Sequence, residues 1–192
     1  LNKFTSHYLG ERSSDAESGL AAMPASTDQI AAILNDFQQG VSARGGAGSG
    51  SIQHLKNDLL AQLRNQSTEE RELVLGPEDN DAIDLVGLLM DEAMQGVNPQ
   101  SSISQLIGLM QTPIVQVVLQ DKTFFSNRVH PARQMLTTLA DAGFNWLNDN
   151  EPDEALHNRI SDIVTNAVNS FDGNINRLND AYHETDRLLQ SL

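Results

Sequence analysis

The 192 residues hold 26 Asp and Glu against 12 Lys and Arg, a formal charge of −14, with no cysteine. Such a chain is repelled on average by nucleic-acid backbones and anionic lipid surfaces, so neither is expected as a partner. The missing cysteines leave no disulfide framework, thiolate zinc site or cysteine nucleophile, and no apolar run approaches the roughly 20 residues that span a bilayer.

The length suits one sizeable core, or one core with a loosely held extension, so one main domain is the first expectation. Residues 1–26 are rich in Ser, Ala and Gly, show no sustained period and lack the apolar centre of a secretory signal. They are expected to be a mobile segment, with Ser26 and Thr27 approaching a helix N-cap. The chain does not begin with Met, and its last residues, "RLLQSL", still keep helical spacing. The expectation is therefore a piece cut from a longer protein.

From Asp28, Ile30, Ile33, Leu34, Phe37 and Val41 step by three and four, which predicts a first amphipathic helix. The glycine-rich run within 44–50 ends it, as a flexible connector or a closing loop. Ser51 can cap a second helix carrying Ile52, Leu55, Leu59, Leu60 and Leu63, so 27–75 reads as a helical hairpin or arm. Gly76-Pro77 breaks the chain, and Asp79, Asn80 or Asp81 is expected to cap a helix bearing Ile83, Val86, Leu89, Met90 and Ala93. Gly96 and Pro99 stop that helix.

Ser101 or Ser102 opens the next helix, with Ile103, Leu106, Ile107 and Met110 on one side; Pro113 must then kink it or begin another. Ile114, Val115, Val117, Val118 and Leu119 belong at the centre of the core. A strand competes there because of the branched residues, but helix is preferred, since a lone strand has no partner. Pro131 to about Leu147 follows, with Met135, Leu136, Leu139, Ala140 and Trp146. The broadest stripe is Leu156, Ile160, Ile163, Val164, Ala167, Val168 and Phe171. Ile175, Leu178, Tyr182, Leu189 and Leu192 trace a last helix near the seven-residue repeat, which can pack inward or pair with another chain. The fold class is all-α, a bundle of six to seven amphipathic helices, with 76–192 as the core domain.

"DAIDLVGLLMDEAM" and "ISQLIGLMQTPIVQVVLQDKTFFSNRVHPARQMLTTLADAGFNW" closely resemble the large bacterial proteins catalogued as domain of unknown function 1631. The resemblance covers about residues 80–171, its most specific part being the "FFS…HPAR" block, and residues 1–75 add little to it. It implies a fragment of a cytoplasmic bacterial protein several times longer, without an established activity. Some members carry the label thymidine phosphorylase. Such enzymes bind phosphate through a glycine-rich segment with lysine and serine in an α/β architecture, and the run Gly45 to Gly50 has no lysine and lies between helices.

The stretch "DKTFFSNRVHPARQML" gathers the aromatic and cationic residues. Pro131 suits the first position of a helix and forces His130 outside it, so 127–130 is a turn. Phe124 and Phe125 can plug the seam between the flanking helices. Arg133 can reach Asp121 or the carbonyls that end the preceding helix. That is an interlocked structural corner of Asp121, Phe124, Phe125 and Pro131. The functional alternative is an anion site of Arg128, His130 and Arg133 at a helix N-terminus, suited to a nucleotide or cyclic-dinucleotide messenger.

Elsewhere, His54 with Asp58 and Asp153 with His157 are spaced for one helical face without an evident third metal ligand, and the Glu154–His157 diiron-like spacing occurs once. "PEDNDAID" lacks the glycine and terminal glutamate of a calcium loop. No Gly-x-Ser-x-Gly, Walker or dinucleotide fingerprint is present, so no catalytic residue, metal or cofactor is indicated. The reading is a non-catalytic helical interaction or regulatory domain, with a protein partner or a homodimer expected. A small anionic ligand at the corner is the alternative, and an enzyme completed by residues outside this chain is the third.

Overall fold

The computed structural model describes residues 21–43, 51–145 and 153–192. Most of the expected mobile segment, the glycine-rich run, and Trp146 with Leu147 lie outside those residues. A short strand β1 (Ala21–Pro24) leads into α1 (Thr27–Ala43); α2 (Ile52–Gln66) is followed by a second strand, β2 (Arg71–Val74), and α3 (Pro77–Met94). Then come α4 (Ser102–Leu109), α5 (Gln111–Gln120), a 3-10 turn at Lys122–Phe125, α6 (Pro131–Asn145), α7 (Glu154–Asn169) and α8 (Ile175–Gln190). Since α4 and α5 run on with one break, these eight helices form seven rods, and the all-α reading holds.

The strands are the addition. β1 and β2 pair in parallel, Ala21 with Arg71 through Pro24 with Val74, and the Ala25 N–H donates to the Val74 carbonyl at 2.8 Å. Each is only four residues long and feeds a helix within three residues. The pair therefore sets the starts of α1 and α3 side by side. Ser67 locks the second strand to α2: its hydroxyl donates to the Leu63 carbonyl at 2.9 Å and accepts from the Leu73 N–H at 2.8 Å.

Helix starts follow local chemistry. Ser26 and Gln29 form a capping box, the Ser26 Oγ accepting from the Gln29 N–H and the Gln29 Oε1 from the Ser26 N–H. Ser101 accepts from the Ser104 N–H and Asp153 from the Leu156 N–H. The start of α3 corrects an expectation: the helix begins at Pro77 behind Gly76, before Asp79, Asn80 and Asp81, because proline at the first position supplies a preset φ and lacks only an unneeded N–H. The chain breaks after Leu109, so Pro113 lies in the first turn of a new helix rather than inside a kinked one.

Residues 113–119 of α5 are all buried, and the segment is helical rather than extended. It packs between α1 and α3, while α4 rests on α6 and α7, and α8 covers α6 and α7. Together α4 and α5, Ser102–Gln120, are long and apolar enough to cross a membrane by length and composition, contrary to the reading of the sequence; 67% of that stretch is buried in the fold, which accounts for its apolar character.

Ile30, Ile33 and Leu34 of α1 and Ile52, Leu59 and Leu63 of α2 belong to the same core as α5, so these inner faces are covered within the chain. From α1, the buried Gln38 side chain donates to the Val168 and Phe171 carbonyls, capping the C-terminal end of α7. On the heptad-like face of α8, Leu178 is buried and Ile175, Tyr182 and Leu189 pack partly against the core, while Leu192 is exposed.

Candidate functional site

The corner between α5 and α6 is built by short side-chain-to-backbone bonds. Asp121 ends α5, and its Oδ1 accepts from the Thr123 N–H at 3.0 Å and the Thr123 hydroxyl at 2.6 Å. Asn127 then turns the chain again, its Oδ1 accepting from the Val129 N–H at 3.1 Å. Phe124 is wholly buried and meets Phe125 and His130 edge-on, with centroid distances of 5.3 and 5.2 Å.

His130, 4% exposed, uses Nδ1 to accept from the Ala132 N–H at 3.2 Å, one of the unpaired donors of the first turn of α6. That bond places the ring proton on Nε2, which faces Asp121 Oδ2 at 3.7 Å. Burial pushes the imidazole below its ordinary value of 6.5, with Asp121 opposing it. The Asp121 carboxyl lies below its ordinary 3.8, chiefly through the Thr123 hydroxyl and then the Thr123 N–H.

The three cationic groups thus part company. Arg133 does not reach Asp121; its Nη1 donates to the Phe125 carbonyl at 3.1 Å, the other option open to it. His130 takes the place beside Asp121 and is buried as an acceptor, while Arg128 is exposed. Pro131 begins α6 as expected. Thr123 is the corner residue that sequence reasoning missed, and for Asn127, placed in the turn, it missed the side-chain bond, although Asp-x-Thr and Asn-x-Val have the two-residue reach of side-chain turns. Among the described residues, no group of three or more His, Asp or Glu comes together to hold a metal ion.

A second surface lies on α3. Its inward stripe of Ala82, Ile83, Val86 and Met90 is buried, with Gly87 pressed on Ile52. On the opposite side Glu78, Asp81, Leu85, Leu88, Glu92 and Gln95 advance by three and four, and all are exposed. Leu85 is 47% and Leu88 67% exposed. Among the described residues, the other large exposed apolar side chains, Met23, Val129, Phe144 and Leu192, lie outside α3. The sequence of α3 contains six carboxylates and no cation. Two of them are paired at the sides of the helix, Asp79 with Lys122 at 3.0 Å and Asp84 with Lys56 at 2.6 Å.

The family model for the second domain of the DUF1631 proteins of unknown function matches residues 24–174. No curated protein and no solved structure matches the chain. The family match starts at the end of β1, well before the stretch 80–171 that carries the resemblance in sequence, and so takes in α1, α2 and β2. It stops at the N-cap of α8. The corner and the outward face of α3 both fall inside it, and with most of its length matched the chain belongs to the DUF1631 family as its second domain.

Proposed function

We propose that this domain is a non-catalytic helical interaction or regulatory module of a larger cytoplasmic bacterial protein, and that the outward face of α3 is its contact surface. The observation that carries the reading is the pair Leu85 and Leu88, one turn apart and half to two-thirds exposed on a helix whose other face already fills the core. Contiguous exposed apolar side chains of this kind are covered when a partner docks. The alternative, an anionic ligand at Arg128, His130 and Arg133, has less support, because His130 is buried with Nδ1 accepting from the Ala132 N–H and Arg133 turns one nitrogen to the Phe125 carbonyl.

The test is site-specific photo-crosslinking in the cell. A photoreactive side chain at Leu88 should give a discrete adduct, and one at the exposed Asn176 of α8 should not. Equal labelling from both positions, or none from Leu88, would overturn the reading.

A further inference from the structure

Resting on that reading, we infer that the partner of α3 is a cationic amphipathic helix lying along the seam Glu78, Asp81, Leu85, Leu88, Glu92. The steps of three and four are the a and d positions of a two-helix seam, here facing solvent. At its centre stand the two leucines. Outside them stand carboxylates: Asp81 one turn and Glu78 two turns toward the start, Glu92 one turn toward the end. A helix that fits must offer apolar residues at the middle of its own seam and Lys or Arg flanking them.

A second copy of this chain fits poorly. In an antiparallel pair centred on the leucines, Leu85 meets Leu88 of the other copy, but Asp81 then meets Glu92 twice. In a parallel pair each carboxylate meets its own equivalent. Like charges so placed repel in both arrangements. Nucleic acid and anionic lipid are turned away by the same carboxylates.

Of the six carboxylates, Asp79 and Asp84 are the ones neutralised by the chain's own lysines, and both lie on the flanks of α3. The seam keeps its charge. Asp91 and Glu92 stand in the last turn of α3, the negative end of the helix dipole, with no basic residue near them in that turn. A cation from outside would satisfy both the carboxylates and the helix end.

The test uses the 192-residue chain and two synthetic stapled helices, one with a leucine pair flanked by lysines and the other with the same pair flanked by glutamates. Fluorescence anisotropy should show the lysine helix binding, more weakly as salt rises, and the glutamate helix at least about tenfold weaker. Leu88→Ser should weaken the lysine helix by about tenfold. Glu92→Lys should weaken it as well while leaving the domain folded, which separates charge recognition from misfolding.

Equal binding of the two helices, no binding of either, or indifference to both substitutions overturns the cationic-helix assignment. So does a Leu88 crosslink that joins two copies, or one that falls on a neutral or acidic segment of a partner; those last outcomes leave a contact surface on α3 standing. Absence of any Leu88 crosslink removes the broader reading too.

Discussion

His130→Ala should cost the domain about 1.5–4.5 kcal/mol, assembled from two losses. The Ala132 N–H would be left without its acceptor inside the corner, which costs about 1–3 kcal/mol. The edge-on contact with Phe124, at 5.2 Å and 72°, contributes about 0.5–1.5 kcal/mol more. His130→Asn separates the two, because its side-chain oxygen can stand where Nδ1 stands and accept the same N–H; it should be milder by about 1–2 kcal/mol. Denaturant unfolding of the three proteins near pH 7.5 measures this.

The pH dependence adds a second readout. Burial holds the folded imidazole below 6.5, so on acidification the unfolded chain takes up that proton first. The contribution of His130 is complete above 6.5 and declines as pH falls toward the lower folded value. Asp121 has the usual carboxylate sign: its contribution is present above 3.8 and is lost only below that, in a separate window. Between about pH 7.5 and pH 5, wild type should therefore lose stability that neither variant loses. Equal destabilisation by Ala and Asn, together with identical pH slopes in all three proteins, would refute the role given to Nδ1.

Two glycines should respond oppositely to alanine. A Cβ at Gly87 would stand 2.5 Å from Ile52 Cγ2, on a branched side chain that cannot swing away, so overpacking of about 1–3 kcal/mol should outweigh the roughly 1 kcal/mol gain in helix propensity. At Gly40 nothing lies within 4 Å, and the same change should stabilise by up to about 1 kcal/mol. Thermal unfolding of both variants checks the pair, and a shared sign would contradict the packing of α2 on α3. Ending the chain at Asn174 should abolish cooperative unfolding, since α8 buries Leu178 and Ala181 against α6 and α7. A truncated chain with an unchanged, sharp unfolding transition by circular dichroism would show α8 to be an accessory.

The helices were legible because each carries a stripe long enough to dominate its window, as in Leu156 to Phe171. The strands were not. Four-residue segments such as "AAMP" and "RELV" have no period of their own, and what makes them strands is each other, across fifty residues of sequence. The corner was half legible: Pro131 fixed the start of α6, and Phe124, expected at the seam, is buried against Phe125 and His130. Which cation meets Asp121 was beyond reach, because Arg133 and His130 are both within range and the choice depends on where the Phe125 carbonyl points. The α3 seam was hidden by a stronger signal on the same helix. Ile83, Val86 and Met90 set the period, and Leu85 and Leu88 fall outside that stripe.

The two surfaces differ in what their charges do for the folded chain. At the corner, Asp121 serves its own turn through Thr123, and Arg133 serves the carbonyl that ends the 3-10 segment; these two charges have internal tasks. On α3 the tasks divide along the helix. Glu78 and Asp79 suit the positive end of the dipole and add about 0.3–1 kcal/mol each at most. Asp91 and Glu92 have the opposite effect, because carboxylates at a helix C-terminus are unfavourable by a similar amount. The lysine pairs on the flanks do not relieve them, as Lys122 and Lys56 are engaged at Asp79 and Asp84. Stability alone therefore explains the acidic start of α3 but not its acidic end. The end makes physical sense beside the exposed Leu88 if a cation from another helix completes it.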